Sequence, residues 1–258
     1  MTMPRTVHAE TLDGLAENDP AAMHARRDLR RIHRLMATRT LLTRALRGLP
    51  VWLRARGRSG PLRILELGAG DGTLMLGVAR ALRRRWPAVE FTLLDRQNLV
   101  SAATIAGYAD AGWSAAPEVC DVLDWSAAPA NLHTQFPARR WDLIVCNLFL
   151  HHFEGAQLRA LLAAIESRTE RFFACEPRRG RLALAASHLV GLIGANAVTR
   201  EDAVLSVHAG FHGNELTRIW PAAGPGWELA EAPAGLFSHC FCALRHVAGE
   251  FAAPGQAR

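Results

Sequence analysis

The sequence predicts an α/β fold, with a doubly wound, mainly parallel sheet of seven strands. Three observations support this. Apolar segments of strand length alternate with amphipathic segments of helix length over residues 62–176. Two further strands, at 227–231 and 237–246, follow one another across a Pro/Gly turn, as in an antiparallel pair. Glycines and carboxylates stand where several strands end, and ligands of open α/β sheets bind beyond the carboxyl ends of the strands.

The core elements are predicted from their periodicity. In chain order they are strand 62–67, helix 72–85, strand 89–95, helix 98–112, strand 116–120, strand 141–147, helix 155–168 and strand 171–176. The helix at 155–168 carries an apolar stripe at spacings of three and four residues. Residues 127–140 show little pattern and predict a surface loop.

The chain divides into two predicted regions. Residues 1–60 form a lead-in and helical cap, in which residues 1–19 look loose and residues 20–48 read as helices. Residues 61–258 form the main domain, with a helical lid inserted at about 177–221, after the fifth strand. Within that insertion, Thr199 followed by Asp202 predicts a helix start, because this spacing resembles a capping box.

A glycine-rich turn follows the first core strand. The stretch Glu66-Leu67-Gly68-Ala69-Gly70-Asp71-Gly72 lies between an apolar run and an amphipathic one. Glycines there let a ligand approach the main chain closely, and the helix start beyond them offers free N–H groups. Asp95 ends the second strand, roughly 20 residues past the turn, where a carboxylate suits the hydroxyls of a ribose.

Two more strand ends carry polar groups. Asp121 follows the third strand, and the segment from Asn147 to His152 follows the fourth. These four segments, in this order over residues 62–153, resemble the motifs of the class I S-adenosylmethionine (SAM) methyltransferases. The resemblance implies the Rossmann-like methyltransferase fold, SAM as cofactor and methyl transfer as the activity. It also implies that Asp121 accepts a hydrogen bond from the adenine amino group.

The resemblance assigns nine residues to the cofactor. They are Glu66, Gly68, Ala69, Gly70, Asp95, Arg96, Asp121, Val122 and Asn147. The fourth segment departs from the motif of enzymes that methylate base amino groups, because Leu148 and Phe149 stand where that motif has prolines. The stretch from Phe172 to Arg179 is similar to bacterial methyltransferases that act on quinones, phenols or polyketide-like metabolites. We therefore expect transfer to the oxygen of a small lipophilic phenol or enol, with C-methylation of a quinone-like ring or methylation of RNA as alternatives.

A hydroxyl acceptor must lose its proton, and histidine is suited to this near neutral pH. His151 and His152 follow the fourth strand, at the rim where cofactor and acceptor should meet. We predict His152 as the base and His151 as the second candidate. A competing interpretation is that one histidine caps the next helix while the other packs. Four other histidines are reserve candidates: His33, His188, His208 and His212.

The amino-acid composition limits which other mechanisms, partners and locations fit this protein. The formal net charge is +6, and every basic residue is an arginine. Without lysine, the metal-assisted mechanism of catechol-type methyltransferases is excluded, and the five cysteines suggest neither a disulfide framework nor a metal site. The arginine clusters predict solvated faces, so we expect no nucleic-acid partner. The apolar stretch 182–198 is short for a bilayer span, and we expect a cytoplasmic protein whose oligomeric state, including a homodimer, stays open.

Overall fold

The computed structural model describes residues 3–55, 57, 60–128, 140–221 and 226–246. Most of the loop predicted at 127–140 and part of the linker before residue 61 lie outside these ranges. Within them the elements have the following bounds. They are α1 (Thr11–Gly14), α2 (Pro20–Leu35), α3 (Thr38–Leu46), α4 (Leu49–Ala55), β1 (Leu62–Leu67), α5 (Thr73–Leu82), β2 (Val89–Asp95), α6 (Ala102–Asp110), β3 (Trp113–Val119), α7 (Val122–Ala127), β4 (Leu143–Asn147), α8 (Gly155–Arg168), β5 (Arg171–Pro177), α9 (Arg181–His188), α10 (Ala197–Ala209), α11 (Glu215–Ile219), β6 (Trp227–Ala234) and β7 (Ser238–Arg245).

The described strands form one seven-stranded sheet, in the order β3-β2-β1-β4-β5-β7-β6. Strands β1 to β5 run parallel, whereas β7 pairs antiparallel with both β5 and β6. The predicted fold class is therefore confirmed, including the antiparallel pair at one edge. The strand order reverses between β1 and β4, which is where an open α/β sheet forms a crevice for a ligand.

Apolar residues explain why this sheet is stable. All six residues of β1 and all five of β4 are buried, as expected for central strands covered by helices on both faces. One core cluster joins α3, α4 and α5 to one face, and the other joins α7, α8 and α11 to the opposite face. The five cysteines are all free, in agreement with the sequence-based prediction.

The predicted cap of α10 is wrong. Asn196, not Thr199, caps this helix, and its side-chain oxygen accepts a hydrogen bond from the Thr199 backbone N–H at 2.8 Å. The Asp202 carboxylate turns away to the N-terminal segment, where it accepts from Thr11 N at 2.8 Å and Leu12 N at 3.0 Å. A long-range partner has therefore replaced the local one that the sequence suggested.

Candidate active site

A cavity of about 720 Å³ lies at the carboxyl edge of the sheet, beside the switch point between β1 and β4. It brings together every residue that the sequence assigned to the site. These are Glu66, Gly68, Ala69, Gly70, Asp95, Arg96, Asp121, Val122, Asn147, His151 and His152. The four strand ends that carry them, after β1, β2, β3 and β4, are far apart in sequence, so only the fold places them side by side.

The glycine turn forms one wall of this cavity. Gly68 and Gly70 have positive φ angles of 69° and 56°, a region that side chains rarely adopt. A Cβ atom on Gly68 would also overlap the ring of Phe149. The Gly70 N–H donates to Asp95 Oδ2 at 2.8 Å, which fastens the turn to the end of β2. Asp95 therefore orders the glycine turn in addition to the ribose contact that the sequence predicts.

Two buried oxygen atoms on residues that line the cavity, at the ends of β1 and β4, have no hydrogen-bond partner among the described residues. They are Glu66 Oε2, on a side chain that is 3% exposed, and Asn147 Oδ1. Burial raises the pKa of Glu66 well above its usual range, and the nearby Asp95 and Asp71 carboxylates raise it further. Buried polar atoms are normally satisfied, so both positions fit a ligand that brings a cation or a hydrogen-bond donor.

The other predicted cofactor residues lie along the same edge. Asp95 Oδ1 accepts from Gln97 N at 3.0 Å, and each carboxylate oxygen can still accept from a ligand. Arg96 is exposed and pairs with Asp13. Asp121 is exposed and caps α7, where it accepts from Leu123 N at 2.7 Å. Val122 is buried at the start of that helix.

His151 is held between two carboxylates. Its Nδ1 lies 2.9 Å from Glu176 Oε2, and its Nε2 lies 3.2 Å from Glu10 Oε1. Burial opposes the charged ring, but the hydrogen bonds that it donates to Glu10 and Glu176 outweigh this effect and raise the pKa of His151 to about 9. His151 is therefore an imidazolium at neutral pH. Glu176 also accepts from the backbone N–H groups of Phe149 and Leu150, which fixes the whole turn after β4.

His152 has the opposite electrostatic environment. Burial lowers its pKa, and the positive charge of the neighbouring His151 ring, 4.2 Å away between centroids, lowers it further. Nδ1 of His152 lies 3.2 Å from Asp13 Oδ2. If Nδ1 carries the proton and donates it to Asp13, Nε2 keeps a lone pair. The two adjacent histidines are thus distinct: one is charged and buried, and the other is neutral and partly open to the cavity.

Sequence reasoning missed the contribution of the N-terminal segment. Residues 1–19 were expected to be loose, but the described part packs across the cavity and supplies Glu10 and Asp13 to the two histidines. Arg5 anchors this segment by donating to Ala209 O at 2.7 Å and to Phe153 O at 2.9 Å. These are bonds from side chains to distant backbone atoms, and they leave no periodic signal in the sequence.

Of the four reserve histidines, only His33 lines the cavity. Its Nε2 is buried without a partner among the described residues, and burial lowers its pKa to about 4, against the opposing effect of Asp71. The ring is therefore neutral and able to hydrogen-bond a ligand. The neighbouring Arg30 is engaged with Asp71 at 2.7 Å.

Glu10, His151 and His152 together have the composition of a metal site, and their side-chain ligand atoms lie within 4.8 Å of one another. However, both ring nitrogens of His151 already bond to carboxylates, and the positive charge of the imidazolium offsets part of their negative charge. We therefore interpret this group as an ion-paired cluster. The expectation of a site without metal stays a prediction.

The sheet order, the glycine turn after β1 and the polar strand ends define the Rossmann-like methyltransferase fold. No protein-family model matches the chain, and the comparison with curated proteins also gives no match. Within the described ranges, no helix combines the length and the apolar character needed to cross a membrane.

Solved structures do match along most of the chain. The plantazolicin methyltransferase BpumL in complex with SAH has 12% identity and a TM-score of 0.58, with 89% of this chain and 92% of that one covered. The plantazolicin methyltransferase BamL, in complex with a triazolic desmethylPZN analog and SAH, has 13% identity and a TM-score of 0.58, with 91% and 93% covered. At such low identity the structural similarity establishes the fold alone, and the activity has to be inferred from the residues of the site.

Proposed function

We propose that this protein is a SAM-dependent methyltransferase that methylates the oxygen of a small lipophilic phenol or enol in the cytoplasm. One observation carries the proposal. The predicted cofactor residues and both candidate bases line one cavity, which also holds the unpartnered buried oxygens of Glu66 and Asn147, at the ends of β1 and β4. The similar plantazolicin methyltransferases, crystallised with SAH, support the choice of cofactor.

The residues of the chain would hold the cofactor in the following way. Asp95 would accept from the ribose hydroxyls while it keeps Gly70 in place. Glu66 and Asn147 would take the cationic or donor groups of the amino-acid part, and Asp121 and Val122 would border the adenine. When bound, SAM supplies an electrophilic methyl group on a sulfonium. The buried Glu66 carboxyl favours such a cation because it has no other partner for its Oε2 atom.

His152 would act as the base. Its lowered pKa keeps the ring neutral at pH 7, so a lone pair is available for the acceptor proton. Asp13, 3.2 Å from Nδ1, would orient the ring and stabilise it once it is protonated. His151 cannot take this role at neutral pH, because the raised pKa means that its ring is already protonated.

The acceptor side of the cavity supports a lipophilic substrate. Leu12, Leu29, Phe149 and Phe153 contribute apolar surface close to the histidines. Apolar walls with a few polar groups are typical of small-molecule pockets.

The two alternative activities, C-methylation and RNA methylation, differ from O-methylation in the protein groups that they require. C-methylation of a quinone-like ring would use the same pocket but would not need a base that removes a proton from an acceptor oxygen. Methylation of RNA would need free basic groups beside the cofactor cleft. The arginines nearest that cleft are engaged within the protein, since Arg26 bonds to Gln97 Oε1 at 2.9 Å and Arg30 pairs with Asp71. This arrangement favours a small molecule over RNA.

The first test is methyl transfer itself. Purified protein and SAM with an isotopically labelled methyl group are incubated with a lipophilic small-molecule extract and, separately, with total RNA. We expect label in the small-molecule fraction, and fragmentation by mass spectrometry will distinguish an O-methyl from a C-methyl product. Label in RNA, or a C-methyl product alone, would contradict the proposed acceptor. Absence of calorimetric SAM binding would contradict the cofactor.

The second test concerns the base. His152→Ala should lower kcat by about 10²- to 10⁴-fold, as is typical for loss of a general base, while the Kd of SAM changes little. Activity of the variant should recover at alkaline pH, because a phenol with a pKa near 10 then ionises without help. His212→Ala is the matched control, since His212 is exposed and lies outside the cavity. Unchanged kcat in His152→Ala would rule out the role of base.

A further inference from the structure

Arginines without neighbouring acids dominate two segments of the chain. From residue 29 to residue 65 there is no Asp or Glu, and the same is true from residue 72 to residue 89. The arginines in these segments are Arg30, Arg31, Arg34, Arg39, Arg44, Arg47, Arg54, Arg56, Arg58 and Arg63 in the first, and Arg80, Arg83, Arg84 and Arg85 in the second. Charge is therefore unevenly distributed along a chain whose overall excess is small.

The fold places part of both segments at one edge of the molecule. Helix α5 starts at the cavity and runs back toward the start of β2, so the residues after it lie at the amino-terminal edge of the parallel strands. The end of α3 reaches the same edge, because Ala45 O accepts from Arg171 at the start of β5, at 2.9 Å. With its 10 residues, α5 separates this edge from the cavity by roughly 15 Å.

We define the basic edge as Arg44, Arg47, Arg83, Arg84 and Arg85. All five side chains are exposed, and none forms an ion pair with a carboxylate in the part of the chain that the structure describes. The nearest acid on β2, Glu90, is occupied by Arg63 at 3.8 Å. Some arginines elsewhere in the described part of the protein are paired with carboxylates, as Arg179 is with Glu215 and Arg245 with Glu166.

An exposed apolar side chain follows the arginines of α3 in the sequence. Val51, on α4, is 67% exposed, although Leu49 and Leu53 on the same short helix are buried in the core with Leu46 and Leu82. Helix α4 therefore directs an aliphatic group outward directly after the arginines of α3. Arginines around an exposed aliphatic group are typical of surfaces that bind the headgroup region of anionic bilayers.

We propose that the basic edge docks the protein on the surface of an anionic lipid bilayer. Charge complementarity provides the attraction, and Val51 enters the boundary between headgroups and acyl chains. A nucleic acid would gain from stacking on aromatic rings. The aromatic groups near the basic edge do not offer this, since Trp86 is 7% exposed and Trp52 is partly buried. Docking at this edge leaves the cavity at the opposite edge, so the inference stands apart from the proposed activity.

Co-sedimentation with lipid vesicles tests the proposal. The full-length protein is mixed with vesicles of 70% phosphatidylcholine and 30% phosphatidylglycerol, and with vesicles of phosphatidylcholine alone. We expect binding to the anionic vesicles only, with an affinity that falls as salt rises from 50 to 300 mM. Equal binding to both vesicle types, or no binding to either, would overturn the proposal. The proposal would also be overturned if polyuridylate bound to the same arginines more tightly than the anionic vesicles do.

Matched triple variants locate the surface. Arg83→Gln, Arg84→Gln and Arg85→Gln combined should weaken vesicle binding by about two orders of magnitude, since each arginine near an anionic surface contributes roughly fivefold. The control combines Arg159→Gln, Arg181→Gln and Arg218→Gln, which removes the same charge from exposed positions elsewhere. Equal weakening in both variants would mean that net charge, not the basic edge, binds the bilayer. A urea unfolding curve checks that both variants are folded.

Discussion

Glu66 shows what a single buried residue contributes to the site. Its carboxyl is almost fully enclosed, its Oε2 has no partner among the described residues, and burial raises its pKa well above the usual range. A protonated carboxyl at this position would ionise when a cation binds beside it, because the opposite charge offsets the cost of burial. We therefore expect that binding of SAM releases a proton from Glu66.

Calorimetry in buffers of different ionisation enthalpy measures this release. At pH 7 the wild-type protein should release up to one proton more than Glu66→Gln on binding SAM, and Glu66→Gln should bind more weakly. Asp110→Asn, at the exposed end of α6, is the control and should behave as the wild type. The same number of protons in wild type and Glu66→Gln would show that Glu66 does not meet the cofactor charge.

The histidine pair shows why neighbouring residues of the same type can differ in function. The sequence placed both side chains at the rim of the site and ranked His152 before His151 as the base, but it gave no electrostatic reason for that order. Their partners separate them: Glu10 and Glu176 keep His151 charged, whereas burial and that charge keep His152 neutral. Both carboxylates are distant in sequence, and Glu10 comes from a segment with no regular pattern. Their role could only be seen in the folded chain.

Among the elements, those defined by local pattern were predicted well. Helix α8 has the predicted bounds, 155–168, because its apolar stripe is regular and a strand follows directly. The glycine turn after β1 was also predicted, since its conformation depends on residues within the turn. The N-terminal segment was not, because Arg5, Glu10 and Asp13 hold it by single long-range bonds to other parts of the protein. Element length and periodicity carry no information on such bonds.

For the whole molecule, the alternation of strands and helices was sufficient to predict the sheet, and the strand ends were sufficient to predict its functional edge.

The contact of residues 3–19 with the rest of the fold changes how the stability of the molecule should depend on pH. His151 has a pKa of about 9 in the folded state and about 6.5 when unfolded, because Glu10 and Glu176 hold its charge. The resulting stabilisation is fully present below pH 6.5 and is lost as the pH rises through 9, with an upper limit of about 3 kcal/mol.

Glu10→Gln tests this dependence, because it removes one carboxylate and keeps the shape of the side chain. Urea unfolding at pH 6 and pH 9.5 should give a smaller loss of unfolding free energy in Glu10→Gln than in the wild type, since His151 then has a lower folded-state pKa. Ionisation of the cysteines also changes the unfolding free energy over this pH range. The wild type and Glu10→Gln contain the same five cysteines, so this change is expected to be the same in both. Glu17→Gln is the control, since Glu17 lies in the same segment but bonds to Asn98 N and not to a histidine. An equal loss in the wild type and Glu10→Gln would mean that the N-terminal segment does not hold the charge of His151 in solution.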